Sequence, residues 1–126
     1  MRFHPPLCIC YSDTFVLSRV DIALAIGADG VHVGQTDMPA IKVREMLPAG
    51  AIIGVSANTV SEALAAVEDG ADYIGIGPVW NTQTKKDAKN TIGVRGVGEI
   101  IHTLEGTNVK CVAIGMNVLL QLTSMS

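Results

Sequence analysis

One short pattern occurs twice and limits what this chain can become. Gly27-Ala28-Asp29 runs into Gly30-Val31-His32-Val33-Gly34, and Gly70-Ala71-Asp72 runs into Tyr73-Ile74-Gly75-Ile76-Gly77. Each copy reads as a helix end, a Gly-Ala-Asp turn, a short apolar strand and a closing glycine. Glycine suits the residue just past a helix, where a positive φ is needed. A strand apolar on both faces is the kind that helices cover.

Two more segments fit the same frame. Residues 51–55 form an apolar strand ending at Ser56, and residues 109–114 form another ending at Gly115. A fifth, weaker strand falls at 7–10 or at 14–17. Helices are expected between them over 20–26, 39–47, 59–68 and 93–104, the second opening with Asp37 as N-cap and Pro39 in the first turn. This alternation of strand and helix argues for a parallel sheet with right-handed crossovers. An open flavodoxin-like sheet and a barrel share these local signals. A (β/α)8 barrel needs roughly 200 residues or more, so 126 residues hold about four to five of its units. The expected class is α/β, a partial TIM-type barrel.

Composition removes several alternatives. Hydrophobic residues make up 48% of the chain and charged residues 17%, enough apolar mass to bury a core, which argues against disorder. The net charge is −3, and the densest basic stretch, Lys85-Lys86 with Lys89, is interrupted by Asp87. Nucleic-acid binding is not expected from such a pattern. Cys8, Cys10 and Cys111 are too few and too odd in number for a disulfide framework. The Cys8-x-Cys10 pair has no second pair to complete a metal site and reads as part of an apolar strand. No apolar run approaches a membrane span, and residues 1–6 lack the core of a signal peptide. A reduced, cytoplasmic setting is the expectation.

Parallel strands bring their C-terminal ends to one mouth, the active face of such folds. The residues there are Gly34-Gln35-Thr36-Asp37, Ser56-Ala57-Asn58-Thr59, the long polar segment 77–92, and Gly115. They supply the carboxylate of Asp37, the hydroxyls of Ser56, Thr82 and Thr84, the ammonium of Lys85 and several glycines. Backbone N–H groups beside glycine, helix N-termini and a lysine suit an anion. Asp37 suits Mg²⁺, which takes one or two carboxylates plus substrate phosphates. The set reads as a phosphate or diphosphate site, with no nucleophile and no general base. Each residue also has a plain structural reading: Asp37 as an N-cap, Ser56 as a turn hydroxyl, 82–86 as a solvated loop, His32 as a satisfied interior histidine, and Trp80 as packing at the rim.

These residues together resemble the thiamine-phosphate synthase family. The resemblance is carried by Val20-Asp21-Ile22-Ala23-Leu24-Ala25, by Gly27-Ala28-Asp29-Gly30-Val31-His32-Val33-Gly34-Gln35-Thr36-Asp37-Met38-Pro39, and by Ile53-Gly54-Val55-Ser56-Ala57. Gly70-Ala71-Asp72-Tyr73-Ile74-Gly75-Ile76-Gly77-Pro78, Thr82-Gln83-Thr84-Lys85-Lys86-Asp87 and Val112-Ala113-Ile114-Gly115 extend it in order. It implies a (β/α)8 barrel that couples a hydroxymethylpyrimidine diphosphate to a thiazole phosphate, with diphosphate leaving before the thiazole nitrogen attacks. It implies Asp37 as a Mg²⁺ ligand, Ser56 and Lys85 holding the pyrimidine diphosphate, Thr82, Gln83 and Thr84 contacting the thiazole phosphate, and Gln35 and Gly115 as further substrate-binding residues.

Departures from the family pattern set further expectations. Leu17-Ser18 stand where the family carries Asn-Asp, which removes a second metal carboxylate. Met116 replaces the second glycine after Gly115. Residues 1–18 and 116–126 diverge from the family, and 19–115 form the family-like core. A chain truncated in this way is expected to be impaired alone. Small phosphorylated molecules are the expected partners, alongside a homo-oligomer or a full-length relative paired with the open edge. A thiazole tautomerase or regulator of the same barrel group, or a non-catalytic interaction fragment, are the alternatives.

Overall fold

The computed structural model describes residues 14–77, 92–113 and 120–122. Six strands and four helices run in the order β1 (Phe15–Leu17), α1 (Val20–Ile26), β2 (Gly30–Val33), α2 (Ala40–Met46), β3 (Ile52–Ala57), α3 (Val60–Glu68), β4 (Tyr73–Ile76), α4 (Gly93–Leu104), β5 (Lys110–Ala113) and β6 (Leu120–Leu122). Of the two positions considered for a first strand, 14–17 is the one the structure uses, while 7–10 lies outside the described residues.

The sheet order is β1-β2-β3-β4-β5-β6, with β1 to β5 all parallel. Every strand therefore lies beside its predecessor. Right-handed crossovers repeated in one direction put all the helices on the same face. A doubly wound sheet reverses direction midway, so this order separates the barrel pattern from the flavodoxin-like one. The four to five expected strands are thus all parallel, and a sixth, β6, is added to the sheet by antiparallel pairing with β5. The reading of 116–126 as a divergent tail offered no strand there.

Burial follows the pleat, in which alternate side chains face opposite sides. Val31 and Val33, Ile53, Val55 and Ala57, Ile74 and Ile76, and Cys111 and Ala113 are buried. They join Val20, Ala23, Val43, Ala63, Ala66, Val97, Ile100 and Leu104 from the helices in one apolar cluster. In α4 the buried residues Val97, Ile100 and Leu104 lie three and four apart, the spacing of one helical face. In α3 the buried face is built from Ala63 and Ala66, whose small side chains let the helix sit close to the sheet.

The other sheet face is of a different kind. The register aligns Leu17, His32, Gly54, Tyr73 and Lys110 in one row across five strands. Among the described residues no helix covers this row; Leu17 is 70% exposed, and Phe15 on the same face 39%. A helix-covered face and an opposite face of mixed aromatic, polar and glycine residues is the layering of a barrel wall.

Both Gly-Ala-Asp turns fold alike. Ala28 N–H donates to Ala23 O at 2.9 Å and Ala71 N–H to Ala66 O at 3.0 Å, while Gly27 and Gly70 have φ of 65° and 88°. These are the bonds and the positive φ of a Schellman helix end. The aspartate then turns back to the preceding strand. Asp29 Oδ2 accepts from Thr14 N–H at 2.9 Å, and Asp72 Oδ2 accepts from Ile53 N–H at 2.8 Å. The repeat is thus a fastening as well as a turn.

Candidate functional site

Parallel pairing brings the C-terminal ends of β1 to β4 to one edge, where Ser18, 34–37, 56–58 and Gly77 follow or close the strands. Asp37 shapes this edge, though not as the expected helix cap. Helix α2 starts at Ala40 with Pro39 in the N-cap position and no side-chain cap. The carboxylate instead closes its own loop: Oδ2 accepts from Gly34 N–H at 2.7 Å, and Asp37 N–H donates to Gly34 O at 3.2 Å. The Ser18 hydroxyl also donates to Oδ2, at 2.8 Å. Ser18 has a φ of 61°, the one positive value at a non-glycine among the described residues. The Gly34 N–H first, and then the Ser18 hydroxyl, hold the Asp37 carboxyl below the usual carboxylate range, with desolvation opposing them.

Ser56 does not stand in a turn after the strand, as expected; it is the fifth residue of β3. Its side chain faces the uncovered side, where its Oγ lies 2.8 Å from His32 Nε2. The other ring nitrogen, His32 Nδ1, lies 2.9 Å from the Tyr73 hydroxyl. Gly54 lies between them in the register row, and a Cβ there would collide with the Tyr73 ring. The missing side chain lets Tyr73 lie across β3 and reach His32 on β2. Burial pushes the His32 pKa down and the Tyr73 pKa up, so both groups favour their neutral forms.

Gln35 Nε2 donates to Ser56 O at 2.7 Å, which ties the β2 loop to the end of β3. The Asn58 amide, oriented to satisfy its neighbours, donates to Gly77 O and, at 3.2 Å, to Ala57 O. Thr59 caps α3 by accepting from Glu62 N–H at 3.1 Å, and Glu62 reaches back to Asn58 N–H at 2.7 Å. Behind the loop, a cavity of about 220 Å³ separates Gln35 and Asp37 from α3.

Of the residues expected at the site, Gln35, Asp37 and Ser56 are brought together. Thr82, Gln83, Thr84, Lys85 and Gly115 lie outside the described residues. Three neighbours complete this edge beyond the residues expected to bind substrate or metal: Ser18, a departure from the family pattern, Asn58, which the sequence puts at the mouth without a role, and Tyr73. The register signal for Tyr73 was present, an aromatic one strand away from a glycine, but a register is visible only once strands are paired. For a metal, the described residues offer the hard oxygens of Asp37 and Ser18, and no cluster of three His, Cys, Asp or Glu side chains.

A family model described as thiamine monophosphate synthase matches residues 8–118. A thiamine-phosphate synthase of Archaeoglobus fulgidus is 52% identical over 101 residues, covering 80% of this chain and 45% of the relative. A thiamine-phosphate synthase of Laribacter hongkongensis is 46% identical over 115 residues, covering 90% of this chain and 53% of the relative. A solved thiamine phosphate pyrophosphorylase from Pyrococcus furiosus superposes with a TM-score of 0.66 at 44% identity, over 80% of this chain and 46% of that one. The chain thus spans about half the length of the curated relatives it matches. Matched over most of its length and alike in both sequence and sheet, the chain belongs to the thiamine monophosphate synthase family.

Proposed function

We propose that this chain supplies a diphosphate-binding wall for thiamine phosphate synthesis. The reaction joins a hydroxymethylpyrimidine diphosphate to a thiazole phosphate. The C–O bond to the diphosphate breaks, and its electron pair leaves with the diphosphate oxygen. The thiazole nitrogen lone pair then forms the C–N bond, giving thiamine phosphate and diphosphate. Such a step needs no protein nucleophile. It needs the leaving charge to be held, which is electrostatic work.

The observation that carries this reading is the meeting of Asp37, Gln35 and Ser56 at one edge of the sheet. Ser56 Oγ would donate to the diphosphate, joined by Lys85, and Thr82, Gln83, Thr84 and Gly115 would face the thiazole phosphate. Mg²⁺ fits the oxygen donors present, with Asp37 its protein carboxylate and the remaining ligands taken from phosphate and water. Bound there, it would neutralise charge on the departing diphosphate. Because Asp37 stays ionised and its Oδ2 is held by Gly34 and Ser18, its place at the mouth is set before any substrate arrives. The setting would be cytoplasmic; no helix among the described residues is long and apolar enough to cross a membrane.

The test is a coupling assay with both substrates and Mg²⁺ on the purified chain, alone and mixed with a full-length family member. The described strands wall only one side of a mouth, so turnover alone should fall well below that of the full-length relative. Asp37→Asn should lower the remaining rate by about 10²-fold, the scale of losing one charge-stabilising group. An unchanged rate would remove Asp37 from the site. Thiazole isomerisation without coupling would point to the tautomerase branch instead.

A further inference from the structure

If Ser56 is an anion ligand, as proposed above, its hydroxyl hydrogen must point toward the mouth. Ser56 is not free to choose that direction alone, because its oxygen is engaged by His32 Nε2 at 2.8 Å. His32 is engaged at its other end by the Tyr73 hydroxyl at 2.9 Å. A neutral imidazole has one N–H and one lone pair, so its two contacts have opposite sense. Burial disfavours the imidazolium, which would donate at both ends.

Two arrangements remain. In the outward one, Tyr73 donates to Nδ1, Nε2–H donates to Ser56 Oγ, and the Ser56 hydrogen is released toward the mouth. In the inward one, Ser56 donates to Nε2 and Nδ1–H donates to the Tyr73 oxygen. Serine lone pairs then face the mouth and repel an anion. Tyr73 can complete either arrangement because a phenol both donates and accepts. It reaches His32 because Gly54 has no side chain and the Tyr73 ring takes up the space above β3.

We propose that Tyr73, His32 and Ser56 form a hydrogen-bonded chain whose direction is set by an anion at the mouth, with Tyr73 and His32 as positioning residues that turn the Ser56 hydroxyl outward. Anion binding and the histidine tautomer are then linked. Whatever stabilises the Nε2–H tautomer strengthens anion binding, and the anion in turn selects that tautomer.

Ring-nitrogen NMR of the intact ¹⁵N-histidine-labelled chain tests this with inorganic diphosphate and Mg²⁺ as the probe. His4→Gln and His102→Gln assign the His32 signals by elimination. Saturating diphosphate should move His32 to the Nε2–H tautomer. Tyr73→Phe should weaken diphosphate binding by roughly 3- to 10-fold, the worth of one neutral hydrogen bond. That loss should vanish in a Ser56→Ala background, which a merely structural role for Tyr73 would not produce. Diphosphate that binds by calorimetry without changing the tautomer would overturn the chain and leave the anion site standing. Diphosphate that does not bind at all would overturn both. The tautomer measurement uses the unsubstituted protein, so it holds even if Tyr73→Phe fails to fold.

Discussion

Tyr73 reaches His32 only because residue 54 has no side chain. Gly54→Ala would put a methyl group into the Tyr73 ring. The ring must then swing away from His32, and we expect a loss of roughly 1–3 kcal/mol of stability from overpacking, read by urea denaturation. His32 itself predicts a pH dependence. Its folded-state pKa lies below the ordinary 6.5, mainly because burial disfavours the charged ring, with Asp37 opposing. Between the two values the unfolded chain binds more protons, so stability rises with pH. The contribution is fully present above pH 6.5 and is lost as pH falls through the window below it. The urea midpoint should drop on acidification through that window, and His32→Gln should flatten the drop. Residue chemistry was partly legible in the sequence. An interior, satisfied His32 was one of the readings weighed, and the structure gives it two partners. Asp37 was weighed as a helix cap and proves to be a loop latch, because capping depends on where α2 begins and Pro39 delays that start.

The elements were more legible than their ends. Helices α1 and α4 match the expected bounds, since Gly27 and Gly106 stop them with positive φ, a signal that composition carries. Strand β3 runs past Ser56 to Ala57, because register with β4 extends pairing beyond the apolar run. Strand β6 was not foreseen, for antiparallel pairing is set by a partner and leaves little local mark. At the edge opposite the mouth, Arg44 on α2 clamps two βα units. It donates to Ala51 O at 2.6 Å, to Gly70 O at 2.9 Å and to Asp72 Oδ2 at 2.7 Å. The ion pair is part exposed, and pairs of that kind contribute little alone. The carbonyl bonds are the larger share, so Arg44→Ala should cost roughly 1–2 kcal/mol. The loss should change little with added salt, which a urea series at two ionic strengths would read.

Across the whole molecule, order of pairing predicts order of protection. Strands β3 and β4 have neighbours on both sides and side chains at the centre of the core, including Ile53, Ile74 and Ile76 at 0% exposure. Amide hydrogen exchange should be slowest at Ile53–Val55 and Ile74–Ile76 and fastest among the parallel strands at Phe15–Leu17, the one of the five at an edge of the sheet and with an exposed face. Equal protection across the sheet would contradict this. The barrel-type order itself could not be read from local signals, because direction reversal in a sheet is a choice made by crossovers, not by any one strand.

The two aspartate fastenings have a consequence for how such a chain is made. The Asp29 carboxylate accepts from Thr14 N–H and the Asp72 carboxylate from Ile53 N–H, each reaching back to a strand made shortly before it. A nascent polypeptide leaving the ribosome can therefore lock each new unit onto the previous one as it emerges. Growth becomes vectorial, with loop closures that stay short and cheap.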